Sequence, residues 1–283
     1  MRGGQWQVLR LMEGLRGRGH ENLLLSRQGS PLTAEAQRRG LETHELTLLS
    51  VARWRRADIT HAHDARSHTA AALASPGRLV VSRRVAFPVQ ANPFSHWKYR
   101  RATHYIAVSH FVQRMLLDAG IAASKITVVY DGVPMLPPST GSEILVPQSH
   151  DPAKGMNLAL KGLQLAGFQA RVSSNLEQDL AHAGLFVYIT HSEGLGSATL
   201  LAMAAGVPVI ASNVGGLREI VEHERTGLLT ENTPQAIAAA ARRLKEDRAL
   251  AGSLAAQARL AVEQKFSVDR MVADTLGLYE TLL

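Results

Sequence analysis

The residues best suited to chemistry lie in one short run, Glu193-Gly194-Leu195-Gly196-Ser197. Gly194 and Gly196 let backbone come close to a ligand. A helix starting near Ser197 would aim unpaired N–H groups and its positive dipole end at that ligand. Glu193 stands where a carboxylate can accept hydrogen bonds from sugar hydroxyls, so the run describes a phosphate or polyol site. A second group, His61, His63, Asp64 and His68, has spacing that metal ligands on a strand could share, but no carboxylate-rich segment accompanies it. A histidine there could equally position an acceptor or polarise a hydroxyl. Lys154, in Pro152-Ala153-Lys154-Gly155, reads as a cation in front of a helix. Arg83-Arg84 follow a strand, and Trp97-Lys98-Tyr99-Arg100-Arg101 forms a basic, aromatic patch. Base stacking with phosphate contacts, an anionic membrane or acceptor surface, and plain solvation are all open readings of that patch.

These residues need elements to hold them. The Glu193 run follows an apolar strand, 185–190, and precedes a small-residue helix, 197–205. A buried strand, 207–212, comes next, then the diglycine Gly215-Gly216 opening another helix. In an open α/β sheet, ligands bind beyond the C-terminal ends of strands, where this run falls. Strands and helices alternate on both sides of it, which predicts a doubly wound, parallel α/β architecture. In the first half the spacing predicts strands at 22–26, 43–48, 58–61, 79–82, 104–108 and 126–130. A basic segment covers 53–56, and a long polar loop runs from Arg83 to Arg101. In the second half a helix is expected over 176–183. The stretch Pro134 to Ser142 is the best linker. The expected domains are 1–140 and 141–266, with a terminal helix over 267–283.

Composition narrows the classes. Hydrophobic residues make up 46% of the 283, ample for a buried core, and there is no cysteine. Disulfides, thiolate catalysis and Cys-based zinc sites are thereby excluded. No apolar run reaches the roughly 20 residues that span a bilayer, and MRGGQWQVLR lacks the layout of a signal peptide. A cytoplasmic protein is expected. Residues 1–140 hold 19 Lys and Arg against 9 Asp and Glu, while residues 141–283 hold 12 against 15. The basic first half invites anionic partners.

The Glu193 run, followed by Gly206-Val207-Pro208-Val209, Gly215-Gly216-Leu217-Arg218-Glu219 and Thr226-Gly227, resembles the donor-sugar site of the retaining glycosyltransferases of family 4, which have the GT-B fold. Gly3-Gly4, Arg18-Gly19-His20, Ile106–Ser109 and Lys125-Ile126 through Asp131-Gly132-Val133 extend the resemblance over nearly the whole chain. It implies two Rossmann-like domains, with the terminal helix packing back toward the first. It implies that Glu193 contacts the donor sugar, that the backbone of Gly194, Leu195, Gly196 and Ser197 lines the sugar-phosphate pocket, and that Lys154 neutralises the donor diphosphate. Gly3 and Gly4, in the family's first glycine loop, would approach that diphosphate, and His63 would lie near the reacting sugar carbon. Arg83 and Arg84 would meet acceptor or phosphate groups. The implied reaction moves sugar from a nucleotide-sugar donor to a glycan or glycolipid acceptor with retention, and the resemblance together with the basic first half implies a place at the inner membrane face. No metal, cofactor or nucleic acid is expected.

The chain departs from the family pattern at three points. Leu201 occupies the place of a second glutamate that holds the ribose, and a leucine accepts no hydrogen bonds. Ser149 replaces a diphosphate arginine. The strand before the first glycine loop is absent, as are a strand and helix around 167–175, so an incomplete N-terminal sheet and a start lying upstream are expected. These departures keep open a non-catalytic sugar-nucleotide-binding or partner subunit.

Overall fold

A computed structural model describes every residue except Arg2, Arg55, Pro76, Ala91, His150 and Pro152. Pro152 of the lysine loop and Arg55 of the basic segment thus lie outside the described residues. The chain forms two compact units, Met1–Gly132 with Val268–Leu283, and Val133–Ser267.

Unit 1 runs α1 (Gly3–Arg16), β1 (Leu23–Ser26), α2 (Pro31–Arg38), β2 (Glu42–Glu45), α3 (Leu48–Arg53), β3 (Ile59–Ala62), α4 (Ala65–Ala74), β4 (Arg78–Arg83), α5 (Pro93–Arg101), β5 (His104–Ala107), α6 (His110–Asp118) and β6 (Ile126–Val128). Its strands form two parallel sheets, a pair β1-β2 and a four-stranded sheet in the order β3-β4-β5-β6. The N-terminal sheet is therefore divided, and β1 and β3 each keep one edge without a strand partner among the described residues. Helix α1 joins the two halves. Its Val8, Leu9 and Met12 pack with Leu24, Ala36 and Leu41. Its Leu11 and Leu15 pack with Val80, Ile106 and Val129. That second cluster is closed by Met271, Val272 and Leu278 of the last helix.

Two expected elements of this unit are corrected. The strand over 43–48 ends at Glu45, because Thr47 and Ser50 form a reciprocal capping box that starts α3. The polar loop from Arg83 to Arg101 ends at Asn92. Its side chain accepts from Ser95 N at 2.8 Å, and Pro93 begins α5. An Asn cap followed by Pro is a helix start; its polar composition hid the apolar spacing.

Unit 2 runs β7 (Glu143–Pro147), α7 (Met156–Leu165), β8 (Arg171–Ser173), α8 (Leu176–Asp179), β9 (Ala183–Tyr188), α9 (Ser197–Ala204), β10 (Val209–Ser212), α10 (Leu217–Ile220), β11 (Leu228–Thr230), α11 (Pro234–Glu246) and α12 (Arg248–Lys265). The helix expected over 176–183 is broken, turning 3-10 over Leu180–His182. The strands make one parallel sheet in the order β11-β10-β9-β7-β8. Ile144, Val146, Leu185, Val187 and Ile210 meet Leu163, Ile237 and Leu254 in its core. The stretch 134–142 is not a free linker. Ser139 Oγ donates to Ala183 O at 2.7 Å, and Arg259 Nη1 donates to Leu136 O at 2.6 Å, binding it to unit 2. The last helix, α13 (Val268–Leu282), belongs to unit 1.

Candidate functional site

In unit 2 the strand order reverses between β7, laid down first, and β9, its neighbour on the side away from β8. Crevices form at such switch points beyond the C-terminal strand ends. A cavity of about 190 Å³ lies there, lined by Val146 to Ser149, Lys154, Met156, Tyr188, Ile189 and Ala198. By volume it holds about six waters. Lys154 is the one charged side chain among the described lining residues.

Backbone bonds set the lysine in place. Gly155 N donates to Ile189 O at 2.8 Å and His191 N to Ala153 O at 3.0 Å, zipping the lysine loop to the end of β9. Lys154 Nζ then donates to Glu193 Oε2 at 2.6 Å and to Tyr188 Oη at 3.1 Å, and Tyr188 donates to the same Glu193 oxygen at 2.5 Å. Burial, reinforced by the Glu193 carboxylate, pushes the Tyr188 phenol well above its ordinary range, so it stays a donor. An ammonium has three donors. Two of Lys154's serve this triad, leaving one for a ligand.

The Glu193 loop is held from behind. Gly216 N donates to Glu193 O at 3.0 Å. A Cβ on Gly216 would collide with the Gly194 carbonyl, so the diglycine is required by close backbone approach. Gly196, at φ 110°, takes the left-handed turn into α9 that a side chain would strain. No side chain caps α9, and its first amides have no intrahelical acceptor. The buried Thr199 hydroxyl in its first turn has no partner among the described residues. The result is an anion-favouring helix start beside a cation and a carboxylate. Ser149 lines the same cavity. Leu201 is half-buried one turn along α9 from Ala198, on the same side by helical spacing.

Unit 1 gathers a separate cluster at the ends of β3 and β4. His61 and His63 lie two residues apart, hence on one face, and their rings meet tilted at 35° with centroids 3.9 Å apart. His61 is held at both nitrogens, by Tyr279 Oη at 2.5 Å and Ser82 Oγ at 2.8 Å. Arg84 Nε donates to the buried Asp131 at 2.9 Å, and its Nη1 lies 3.1 Å from His63 Nδ1. A guanidinium only donates, so Nδ1 must accept and the ring proton sits on Nε2. Burial, His61 and Arg84 hold His63 well below the ordinary imidazole range, and burial with Arg84 lowers His61 to about 3. His63 is thus a neutral hydrogen-bond donor rather than a base.

The remaining residues singled out by sequence take other places. Gly3 and Gly4 form the first turn of α1 rather than a loop, with Gly4 beside Arg84. Arg83 is buried, donating to Tyr99 Oη at 2.7 Å and to the Phe87 carbonyl, and so braces the chain instead of facing a ligand. Asp64 caps α4 through Ser67. His68 is buried edge-on to Tyr99, with burial as the main cause of a pKa lowered to about 4. Sequence reasoning missed Tyr188 and gave Asp131 no role. The signal for Tyr188 was a phenol ending the strand that leads to the Glu193 run.

The chain matches two family models, Glycosyltransferase Family 4 over residues 1–135 and Glycosyl transferases group 1 over residues 144–247. It is 33% identical over 110 residues to N-acetyl-alpha-D-glucosaminyl L-malate synthase of Bacillus anthracis, covering 38% of this chain and 29% of that protein. It is 38% identical over 92 residues to D-inositol 3-phosphate glycosyltransferase of Jonesia denitrificans, covering 32% of this chain and 22% of the relative. The matched stretches thus span under a third of either relative. Among solved structures, Anabaena HepE in complex with UDP and glucose superposes with a TM-score of 0.86 at 17% identity, over 99% of this chain and 96% of HepE. The fold is GT-B, with two Rossmann-like domains. By both family models and by this fold, the chain belongs to the family 4, group 1 glycosyltransferases.

Proposed function

We propose that the protein transfers a sugar from a nucleotide-diphosphate sugar to an acceptor hydroxyl, with retention of anomeric configuration, in the assembly of a cell-surface glycan or glycolipid. The observation that carries this reading is the Lys154–Glu193–Tyr188 triad beside the uncapped start of α9. Diphosphate leaves with negative charge, and fixed positive charge in a confined site stabilises that charge as it develops. The free donor of Lys154 and the first amides of α9 would meet the phosphates. Glu193, fixed by hydrogen bonds from Lys154, Tyr188 and the Gly194 amide, would accept from sugar hydroxyls. Its carboxylate also aims Lys154 without withdrawing all three of its donors. Unit 1 is assigned to the acceptor, where His63 Nε2–H would donate to a hydroxyl oxygen and orient it. The diphosphate of the donor is suggested by HepE, whose structure holds UDP, and retention follows from the family resemblance. Because the positive charge comes from the protein, turnover should survive chelation of divalent metals by EDTA.

One observation favours a second reading, a sugar-nucleotide-binding subunit without turnover. Among the described lining residues Lys154 is the one cation and none is a carboxylate, with Ser149 in the cavity wall and Leu201 one turn along α9 from Ala198. One experiment separates the two. UDP-, GDP-, ADP- and dTDP-sugars are screened by thermal shift, since a ligand bound only by the folded state raises its stability. The best donor is then incubated with the protein and candidate acceptors, and release of nucleoside diphosphate is measured. Release that disappears in Lys154→Ala and Glu193→Ala supports transfer, and binding without release supports the subunit. Undiminished release in both variants sinks the catalytic assignment.

A further inference from the structure

From Ala65 to Leu117 the chain carries eight Lys and Arg and no Asp or Glu. Within this acid-free stretch, the loop after β4 and helix α5 turn large apolar side chains outward. Phe87 is 61% exposed, Phe94 53%, Trp97 40% and Val85 38%. These residues are held rather than loose. Buried Arg83 bonds both the Phe87 carbonyl and Tyr99 of α5, tying loop to helix. On α5, Phe94, Trp97 and Arg101 follow at i, i+3 and i+7 along one stripe. Phe94 and Trp97 stack with centroids 5.6 Å apart. Arg100 is exposed and makes no ion pair among the described residues, and Lys98 lies alongside over the Tyr99 ring.

Positive charge of this kind draws two sorts of polyanion. Single-stranded nucleic acid is bound by stacking bases on open ring faces. Here Phe94 and Trp97 turn a face to each other, and the Arg83 guanidinium lies 5.5 Å over the Phe87 ring. Val85 is exposed two residues before Phe87, so apolar side chains face outward within this cationic stretch. The headgroup boundary of a bilayer accepts that chemistry, taking apolar groups inward while arginine and lysine reach phosphates.

We propose that Val85, Phe87, Phe94 and Trp97, flanked by Lys98, Arg100 and Arg101, form a surface that docks unit 1 onto an anionic phospholipid bilayer. The surface is independent of the donor cavity, which lies in unit 2, so its test does not depend on the sugar-transfer reading. The purified full chain is sedimented with phosphatidylcholine vesicles made with and without phosphatidylglycerol, across a salt series. Binding should require phosphatidylglycerol and weaken as salt rises. A Phe94→Ser/Trp97→Ser variant, which changes only exposed rings and is checked for fold by circular dichroism, should bind at least about ten-fold more weakly. Arg100→Glu should cost about twenty-five-fold, from about five-fold for each of two units of charge. Failure of the wild-type chain to bind phosphatidylglycerol vesicles would overturn the proposal. So would undiminished binding by the double variant, or tight oligonucleotide binding without vesicle binding.

Discussion

Acid should weaken unit 1 through His68, and the effect can be isolated. His68 is 2% exposed, its Nε2 has no partner among the described residues, and its pKa is lowered from 6.5 to about 4. In the unfolded chain the same imidazole titrates near 6.5. Below that pH the unfolded state binds a proton that the folded state refuses. The stability His68 contributes is therefore whole above pH 6.5 and is lost as the pH falls toward 4. Each pH unit in that window costs about 1.4 kcal/mol, so moving from pH 7.5 to pH 5 removes about 2 kcal/mol. Trp6, Trp54 and Trp97 all lie in unit 1, so tryptophan emission during urea unfolding reports that unit alone. In His68→Phe the ring is kept and the titration removed. Whatever the variant does to stability at pH 7.5, its loss between pH 7.5 and pH 5 should be smaller than wild type's by about 2 kcal/mol. Parallel pH dependences in the two proteins would refute the account of a buried, neutral His68.

Four further outcomes are expected. Tyr188→Phe removes one of the three hydrogen bonds to the Glu193 carboxylate and should destabilise unit 2 by about 1–2 kcal/mol, read by circular dichroism in urea. Gly216→Ala forces a methyl group against the Gly194 carbonyl; it should cost about 1–3 kcal/mol and lower the affinity for the donor found by thermal shift. Long-range proton–nitrogen NMR should show His63 still neutral and protonated on Nε2 below the ordinary imidazole value of 6.5, and Arg84→Met should release that tautomer preference. Leu201→Glu should tighten nucleotide binding several-fold; unchanged affinity would separate Leu201 from the ribose.

The Glu193 run was legible because its chemistry is local. Two glycines, a carboxylate and a helix start within five residues need no distant partner to be recognised. Tyr188 was not, and Lys154 was visible without its bond to Glu193, since both reach that carboxylate only once β9 and the lysine loop are zipped together. Asp131 was visible as part of a motif, but its work is to anchor Arg84, 47 residues earlier, and only a folded sheet brings them together. Parallel strands were readable from apolar runs such as Leu79-Val80-Val81, which are buried on both faces. The helix α5 was missed because its sequence is largely polar and its apolar Phe94 and Trp97 face outward, while its inward side offers Ser95 and Tyr99, so no apolar stripe marks the buried face.

The return of α13 to unit 1 has a consequence for the order in which the chain can mature. Unit 2 is continuous in sequence and can close its core as soon as Ser267 has been made. Unit 1 begins first yet finishes last, because Leu11, Leu15, Val80, Ile106 and Val129 wait for Met271, Val272 and Leu278 to cover them. During synthesis that apolar surface stays open while the whole of unit 2 is made, and exposed surface of this kind invites aggregation. Translation that stops after unit 2 would leave a folded cavity domain tethered to an unfinished partner. Helix α13 is therefore the element whose docking completes the core of unit 1.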